Sequence, residues 1–401
     1  MTVDLPVSPQ DRIVIVGSGI AGSCLASILC ARLSAAGSSR RIILIDRDVH
    51  GLPGSTGHAP GFVGQYNELP VLTELAKRSV KHYLGIEGGF DQVGGLEVGT
   101  GLQARCEGAK KAGLQARLLR KQEVLDLAPG FVRSDSLEEK EDGTAGLFFA
   151  SDGTANAKAI SHNQQASAAA KGAKLLDADV TSITRTATTT YCLETSLGPI
   201  ETAIVVMCTG IWTSQLLPSF SSTVVSVAHP YSYSIEHASQ AKTPFIRWPA
   251  HHVYARDHGS SDGLGSYNHA PVHVTPDQIG ATAYGQWEPS FDQVLADGYG
   301  LLPDVKARSF EGGHKFNGLF SVTPDGLPLV GRLDEGLYVG VGVWVTHAAG
   351  SAGLLADMVL GAEADGDEAL KKALDPRRFD GQGKLAEKAL GKYNDIYNKD
   401  G

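Results

Sequence analysis

No stretch of the 401 residues is apolar over the ~20 positions a bilayer-spanning helix requires, so a membrane span is not expected. Cysteine is scarce: there are five, at positions 24, 30, 106, 192 and 208, an odd number whose spacings match no zinc or redox motif. Four of them sit in apolar-looking helix or strand contexts, and they read as buried reduced thiols of an intracellular protein. Basic residues are outnumbered, with 35 Lys and Arg against 44 Asp and Glu. The resulting charge of −9 argues against a nucleic-acid partner and against an anionic membrane surface. The opening MTVDLPVSPQ lacks a basic region followed by an apolar run, and the closing NKDG is not a peroxisomal tripeptide, so the expected location is cytoplasmic. Glycine, by contrast, is abundant, with 48 residues, as suits tight turns and close backbone–cofactor approach.

The glycines are not scattered at random. Residues 12–16 (RIVIV) read as a short, buried, β-branched parallel strand. Gly17-Ser18-Gly19-Ile20-Ala21-Gly22 then opens a helix running to about Ala36, and 41–45 (RIILI) make a second strand closed by Asp46 and Arg47. A lone GxGxxG is weak, but a strand before it, a helix after it and an acid ending the next strand identify a dinucleotide-binding unit. Gly17 allows the turn, Gly19 lets a pyrophosphate approach, Gly22 lets helix and strand pack, and Asp46 would accept from ribose hydroxyls. Directly after this unit comes Gly-Ser-Thr-Gly-His-Ala-Pro-Gly at 54–61, where a flavin ring would have to lie. Gly57, Ala59 and Gly61 leave little bulk beside His58, so the backbone could approach a flat ring and the imidazole could present a bare nitrogen to it.

Further along, 68–85 reads as an amphipathic helix, 92–100 as strand and turn, and 134–144 as a solvated loop. An Ala-rich helix follows 151–155, then strands near 175–180, a hairpin through 183–202 and a strand at 203–208 closed by Thr209-Gly210. Residues 223–310 change texture, rich in His, Tyr, Trp and Pro with alternating strand patterns, and resemble an antiparallel sheet. From 316 the chain turns back through a strand at 337–343 to a helix opened by Thr346-His347, and 384–398 looks like a terminal helix.

These pieces, in this order, resemble the D-amino-acid-oxidase superfamily of FAD enzymes, in particular the branch of dimethylglycine dehydrogenase, dimethylglycine oxidase and the sarcosine oxidases. Four blocks carry the resemblance: VIVGSGIAGS at 14–23, GSTGHAPG at 54–61, GLGSYNH at 263–269, and FNGLFSVTPDGLPLVG with VWVTHAAG at 316–350. It implies an α/β fold: a Rossmann-like, glutathione-reductase-type FAD-binding domain interleaved with an antiparallel-sheet substrate domain. The FAD-binding domain would comprise 9–90, 148–222 and 312–372, the substrate domain 91–147 and 223–311, and the C-terminal helical tail 373–401. The implied activity is oxidation of an N-methylated or secondary or tertiary amine or amino acid by hydride transfer to flavin. The iminium would hydrolyse to amine and aldehyde, and oxygen or an electron-transfer protein would take the electrons. The dimethylglycine enzymes also carry a folate-binding region; none is expected in this chain, so free aldehyde should be released.

The resemblance also assigns residues. His58 would bind the flavin covalently through its 8-methyl carbon. Ser55, Thr56, Ala59, Val180, Thr209, Gly210 and Trp212 would line the cofactor. Thr323, Asp325 and Gly326, in a Pro-containing turn, and Val345, Thr346 and His347, at a helix start, would lie near the ring. That helix N-terminus would stabilise the anion formed on reduction. His229 and Tyr254 are the candidate catalytic pair, one taking the proton of the substrate ammonium and the other orienting it. No metal is expected: His251, His252, His258, His269 and His273 show no ligand spacing. Trp248, Tyr267, Tyr284 and Trp287 read equally as an aromatic wall for a methylated ammonium or as sheet core. For a substrate carboxylate, Arg247, Arg256 and Lys315 are candidates among which the sequence does not choose. Rival readings are a biosynthetic oxidase of another small amine, a nicotinamide-dependent dehydrogenase, which leaves the 54–61 and 316–350 blocks without a job, and a flavoprotein subunit acting through a partner.

Overall fold

The computed structural model describes residues 5, 7–99, 101–135, 137, 143–187, 190–362 and 366–396. The expected loop 134–144 and the end of the helix 384–398 lie partly outside them. Two large sheets organise the described chain. The first has six strands in the order Leu329–Asp334, Leu337–Val341, Ile204–Met207, Arg12–Val16, Arg41–Asp46, Lys174–Asp177. Arg12–Val16 sits at its centre, parallel to both neighbours, with Ile15 opposite Val206 on one side and Leu44 on the other. Such a strand is covered on both faces, which is why RIVIV and RIILI are continuous apolar runs rather than alternating ones.

Helix Ile20–Ala35 returns across one face of this sheet and packs against Ala157–Ala170 and Ala348–Leu360. Its small side chains make that closeness possible: Ala26 and Cys24 are fully buried between the layers. The helix expected at 68–85 spans Pro70–Tyr83, with Pro70 in its first turn, where a missing N–H costs nothing.

The second sheet has ten strands. Its spine is the long strand Val225–Tyr233, which pairs antiparallel with His314–Val322 over nine residue pairs and with Asp262–Ser266. Beyond lie Val253–Asp257, Phe245–Trp248, Gly95–Val98, Thr144–Phe149 and Ala116–Arg120. The stretch after 312 spans both sheets. His314–Val322 was expected within the FAD-binding part, but its backbone hydrogen bonds commit it to the second sheet. The chain crosses back to the first sheet only after the turn at 323–326, where Leu329–Asp334 begins. At the C-terminal end, Leu385–Asn394 lays Ala389 and Tyr393 onto Val225, Val227 and Val322, so the tail closes the second sheet from behind.

All five cysteines are free, and only Cys192 is not buried. No helix among the described residues is long and apolar enough to cross a membrane.

Candidate active site

A single cleft runs from the turn after the first strand to the face of the second sheet, with an empty volume of about 2190 Å3 including its open mouth. Its first half is made of backbone. Gly17 has φ of +105°, and a Cβ there would fall 2.2 Å from the Cys208 carbonyl oxygen. Only glycine satisfies both demands. A Cβ on Gly22 would sit 1.9 Å from the Gly17 oxygen, so Gly22 closes helix onto strand and stays behind the cleft. Gly19 does face the cleft, and a Cβ there would meet only the Thr56 hydroxyl at 2.9 Å. That hydroxyl accepts from the Ile20 N–H at 3.0 Å, holding the helix start in place.

Asp46 ends the second strand at the cleft wall. One of its carboxylate oxygens takes the Ser18 N–H at 2.6 Å and the Ser18 hydroxyl at 3.1 Å, while the other receives only a long 3.4 Å contact from the Asp48 N–H. Burial pushes its carboxyl up, opposed by these hydrogen bonds. Arg47 lies 4.6 Å above the Trp212 ring and pairs with Asp179 at 3.3 Å.

The His58 segment is a single turn, Ser55–His58, pinned where the Ser55 hydroxyl donates to the Leu319 carbonyl at 2.7 Å. The small residues beside His58 also meet a packing demand. A Cβ on Gly57 would strike the Leu52 oxygen at 2.1 Å, and one on Gly61, with φ of +75°, the Ala155 oxygen at 1.9 Å. Both glycines let chain segments pack closely, and Gly61 also lines the cleft. His58 itself lines the cleft, its ring centroid 3.9 Å from that of Tyr284. Its Nε2 is buried without a hydrogen-bond partner, and burial lowers its pKa.

The second half of the cleft is made of side chains from the second sheet. His229 is buried on Val225–Tyr233, and its Nε2 lies 2.7 Å from the Tyr254 hydroxyl on the strand Val253–Asp257. The two rings are within 6° of parallel. Desolvation holds His229 well below the usual imidazole range, so it is neutral near pH 7. Tyr231, Tyr267, Phe316 and Phe320 surround the pair, and Arg247 stands at the edge. Arg247 pairs with buried Glu97, which also holds Arg105 at 2.6 Å, so two guanidinium groups meet one carboxylate. Beside them Asp152 is buried, and burial pushes its carboxyl up to about 7.

The chain matches the family described as "DAO: FAD dependent oxidoreductase" over residues 12–358. It belongs to the DAO family. A mouse mitochondrial sarcosine dehydrogenase is 24% identical over 373 residues, which are 84% of this chain but only 38% of that protein. The human sarcosine dehydrogenase is 25% identical with the same coverage, so the chain spans little more than a third of these relatives. Among solved structures, L-proline dehydrogenase from P. horikoshii superposes with a TM-score of 0.75 at 18% identity, covering 93% of this chain and 99% of its own. Glycine oxidase from Bacillus cereus ATCC 14579 gives 0.68 at 20% identity, covering 88% and 96%. These two likenesses establish the shared fold.

As a DAO-family protein the chain is an FAD-dependent oxidoreductase, and its own residues fit the cofactor. The glycine cradle, the acid at the second strand and the unpartnered, buried His58 Nε2 all face one cleft. Of the expected cofactor residues, Gly17, Gly19, Ile20, Ala21, Asp46, Arg47, Ser55, Thr56, His58, Ala59, Val180, Thr209, Gly210, Trp212, Val345, Thr346 and His347 line it. Thr346 donates to the Phe62 carbonyl at 3.0 Å, and burial lowers His347 to about 4. Four others do not line it: Gly22, Thr323, Asp325 and Gly326. The last three were expected near the ring, but that turn faces the tail. Asp325 is gripped by Nε and Nη2 of Arg378, at 2.8 and 2.9 Å, which uses up its carboxylate.

The aromatic wall is also differently composed. Only Tyr267 of the four expected rings lines the cleft. Trp248 is core, Trp287 packs on Phe291, and Tyr284 covers His58. Of the three carboxylate candidates only Arg247 lines the cleft. Arg256 donates to the Pro60 carbonyl at 2.6 Å, and Lys315 pairs with Asp292 at 3.1 Å. The five noted histidines form no metal group. The one three-member group among the described residues is His237, Asp257 and Asp262, and there the Lys306 ammonium already sits 2.5 Å from Asp262. Sequence reasoning missed Tyr393 and Ile396, at the end of the tail, because nothing local in a surface-like helix points to a site 164 residues away in sequence.

Proposed function

We propose that the protein oxidises the C–N bond of a small N-methylated, secondary or tertiary amine or amino acid. The observation that carries this reading is the His229–Tyr254 pair, buried in an aromatic cleft, with a neutral imidazole and a hydroxyl 2.7 Å apart. FAD, when bound, supplies the hydride acceptor and the link to the final electron acceptor, oxygen or an electron-transfer protein. The chain's residues do the rest. Tyr231, Tyr254, Tyr267 and Phe316 line the cleft with aromatic rings, whose faces attract an alkylated ammonium. Amines of this kind are protonated near neutral pH, and the nitrogen lone pair must be freed before hydride can leave the neighbouring carbon. Tyr254 contacts the nitrogen and passes its own hydroxyl proton to His229 as it takes the substrate's. A substrate carboxylate is placed by Arg247. The enclosing rings limit water, so that it meets the iminium only after oxidation and yields amine and free aldehyde.

His58 is the proposed covalent anchor for the flavin, its unpartnered Nε2 being the atom available for the bond. Acid precipitation of the purified protein tests this separately. Yellow colour should stay in the pellet for the native chain and move to the supernatant for His58→Ala. Colour released from the native chain would remove the covalent link while leaving the flavoenzyme. N-methyl specificity is tested by anaerobic mixing with dimethylglycine, sarcosine, glycine and proline in turn, with the first two expected to bleach the flavin fastest.

A further inference from the structure

Behind the cleft, four side chains from four segments form one hydrogen-bonded line. Tyr254 Oη lies 2.7 Å from His229 Nε2, and His229 Nδ1 lies 2.8 Å from Tyr393 Oη. Tyr393 Oη lies 2.6 Å from His269 Nε2, and His269 Nδ1 ends the line 2.8 Å from the Ala270 carbonyl. His229 and Tyr254 line the cleft, whereas Tyr393 and His269 stand behind it. The line is built rather than incidental. Tyr393 is fully buried, and the Asn394 amide donates to the Tyr267 carbonyl at 3.0 Å and to the His269 carbonyl at 2.8 Å, clamping both ends of that loop to the tail helix.

The direction of every bond follows from the outer end. A backbone carbonyl only accepts, so His269 Nδ1 carries a hydrogen. Burial lowers both imidazoles, so each is neutral and holds one N–H. His269 Nε2 is then bare and takes the single hydroxyl hydrogen of Tyr393. The Tyr393 oxygen in turn accepts from His229 Nδ1–H. That leaves His229 Nε2 bare, facing Tyr254 and the cleft. The opposite tautomer would aim an N–H at Tyr254 and leave the cleft side with no acceptor.

We propose that Tyr393 and His269 are positioning residues that hold His229 in the tautomer whose Nε2 accepts a proton from the cleft through Tyr254. The role rests on the amine-oxidising reading above. In the step it serves, the substrate N–H bond breaks as a new O–H forms on Tyr254. The original Tyr254 O–H breaks as an N–H forms on His229 Nε2. The positive charge ends on His229, still donating through Nδ1 to Tyr393, and no other reactant is consumed.

The test uses the FAD-loaded protein labelled with nitrogen-15 histidine, His229 being assigned by the resonance lost in His229→Gln. Native His229 should be neutral and protonated at Nδ1. In Tyr393→Phe, and independently in His269→Ala, it should shift toward the Nε2-protonated form. Flavin reduction at saturating amine should slow by about 10-fold or more in each, with half-saturation changed less than about 3-fold and FAD content retained. Because His269→Ala leaves the buried Tyr393 in place, it keeps the test open if Tyr393→Phe folds poorly. An Nε2-protonated His229 in the native chain, or a tautomer unmoved in both variants, overturns the proposal. Bleaching by amine with an unmoved tautomer overturns the positioning role alone. A shifted tautomer with no bleaching by any amine overturns the amine reading, and the assigned role with it.

Discussion

The two halves of the cleft are built by different means. The cofactor half is backbone held in place by glycine: Gly17 and Gly22 are compelled by contacts of 2.2 and 1.9 Å to neighbouring carbonyls. The other half is side chains, with His229, Tyr254 and Tyr267 arriving from separate strands and a loop, backed by Tyr393 from the tail. A backbone cradle is written in consecutive residues, so it shows in a sequence. A constellation of side chains depends on sheet register and on where a distant helix docks, and it does not.

The contrast can be broken most sharply at Gly17. Gly17→Ala places a methyl group against the Cys208 carbonyl at a positive φ, and strain of this kind costs ~1–3 kcal/mol before the clash is counted. The expected result is loss of bound FAD, seen in the visible spectrum, together with a lowered melting temperature. Yellow protein with native stability would contradict the cradle. His229→Ala should do the reverse, keeping FAD but slowing anaerobic flavin reduction by about 100-fold or more, within the usual span for a general acid–base group. An unchanged rate removes His229 from the mechanism.

A third substitution separates a cofactor contact from a structural tie. Asp325→Asn weakens the paired hydrogen bonds with Arg378 and should cost about 1–3 kcal/mol of stability while leaving FAD content and reduction rate unchanged. A loss of FAD without loss of stability would return the 323–326 turn to the cofactor site. The smallest effect concerns pH. Burial raises the Asp152 carboxyl from its ordinary value to about 7, so its contribution to stability is present below about pH 4 and is lost as pH rises through about 7. Asp152→Asn does not ionise, so its melting temperature relative to the native chain should climb between those limits. A difference that stays flat with pH would mean the carboxyl is not raised.

The first sheet, the helix after Gly19 and the cradle were legible because each is set by neighbours in the chain: continuous apolar runs, a glycine-rich turn, a closing acid. The antiparallel character of 223–310 was legible from alternation, and His229 and Tyr254 from the resemblance. Their pairing at 2.7 Å was not, because it depends on two strands that flank a third. A second role of Gly57 and Gly61, in packing, was hidden for a related reason. Small size was visible, but the carbonyls that require it, Leu52 and Ala155, are brought there by tertiary folding. The 323–326 turn was recognised as a turn, yet nothing in TPDG reveals that Arg378, 53 residues on, holds its acid.

The most direct test of the account is anaerobic mixing of the purified yellow protein with sarcosine or dimethylglycine while the flavin band is followed. The band should bleach in the native chain, and the same FAD-loaded protein carrying His229→Ala should bleach about 100-fold more slowly or beyond. A flavin that stays oxidised with every amine and amino acid offered, or bleaches equally fast in both proteins, would contradict it.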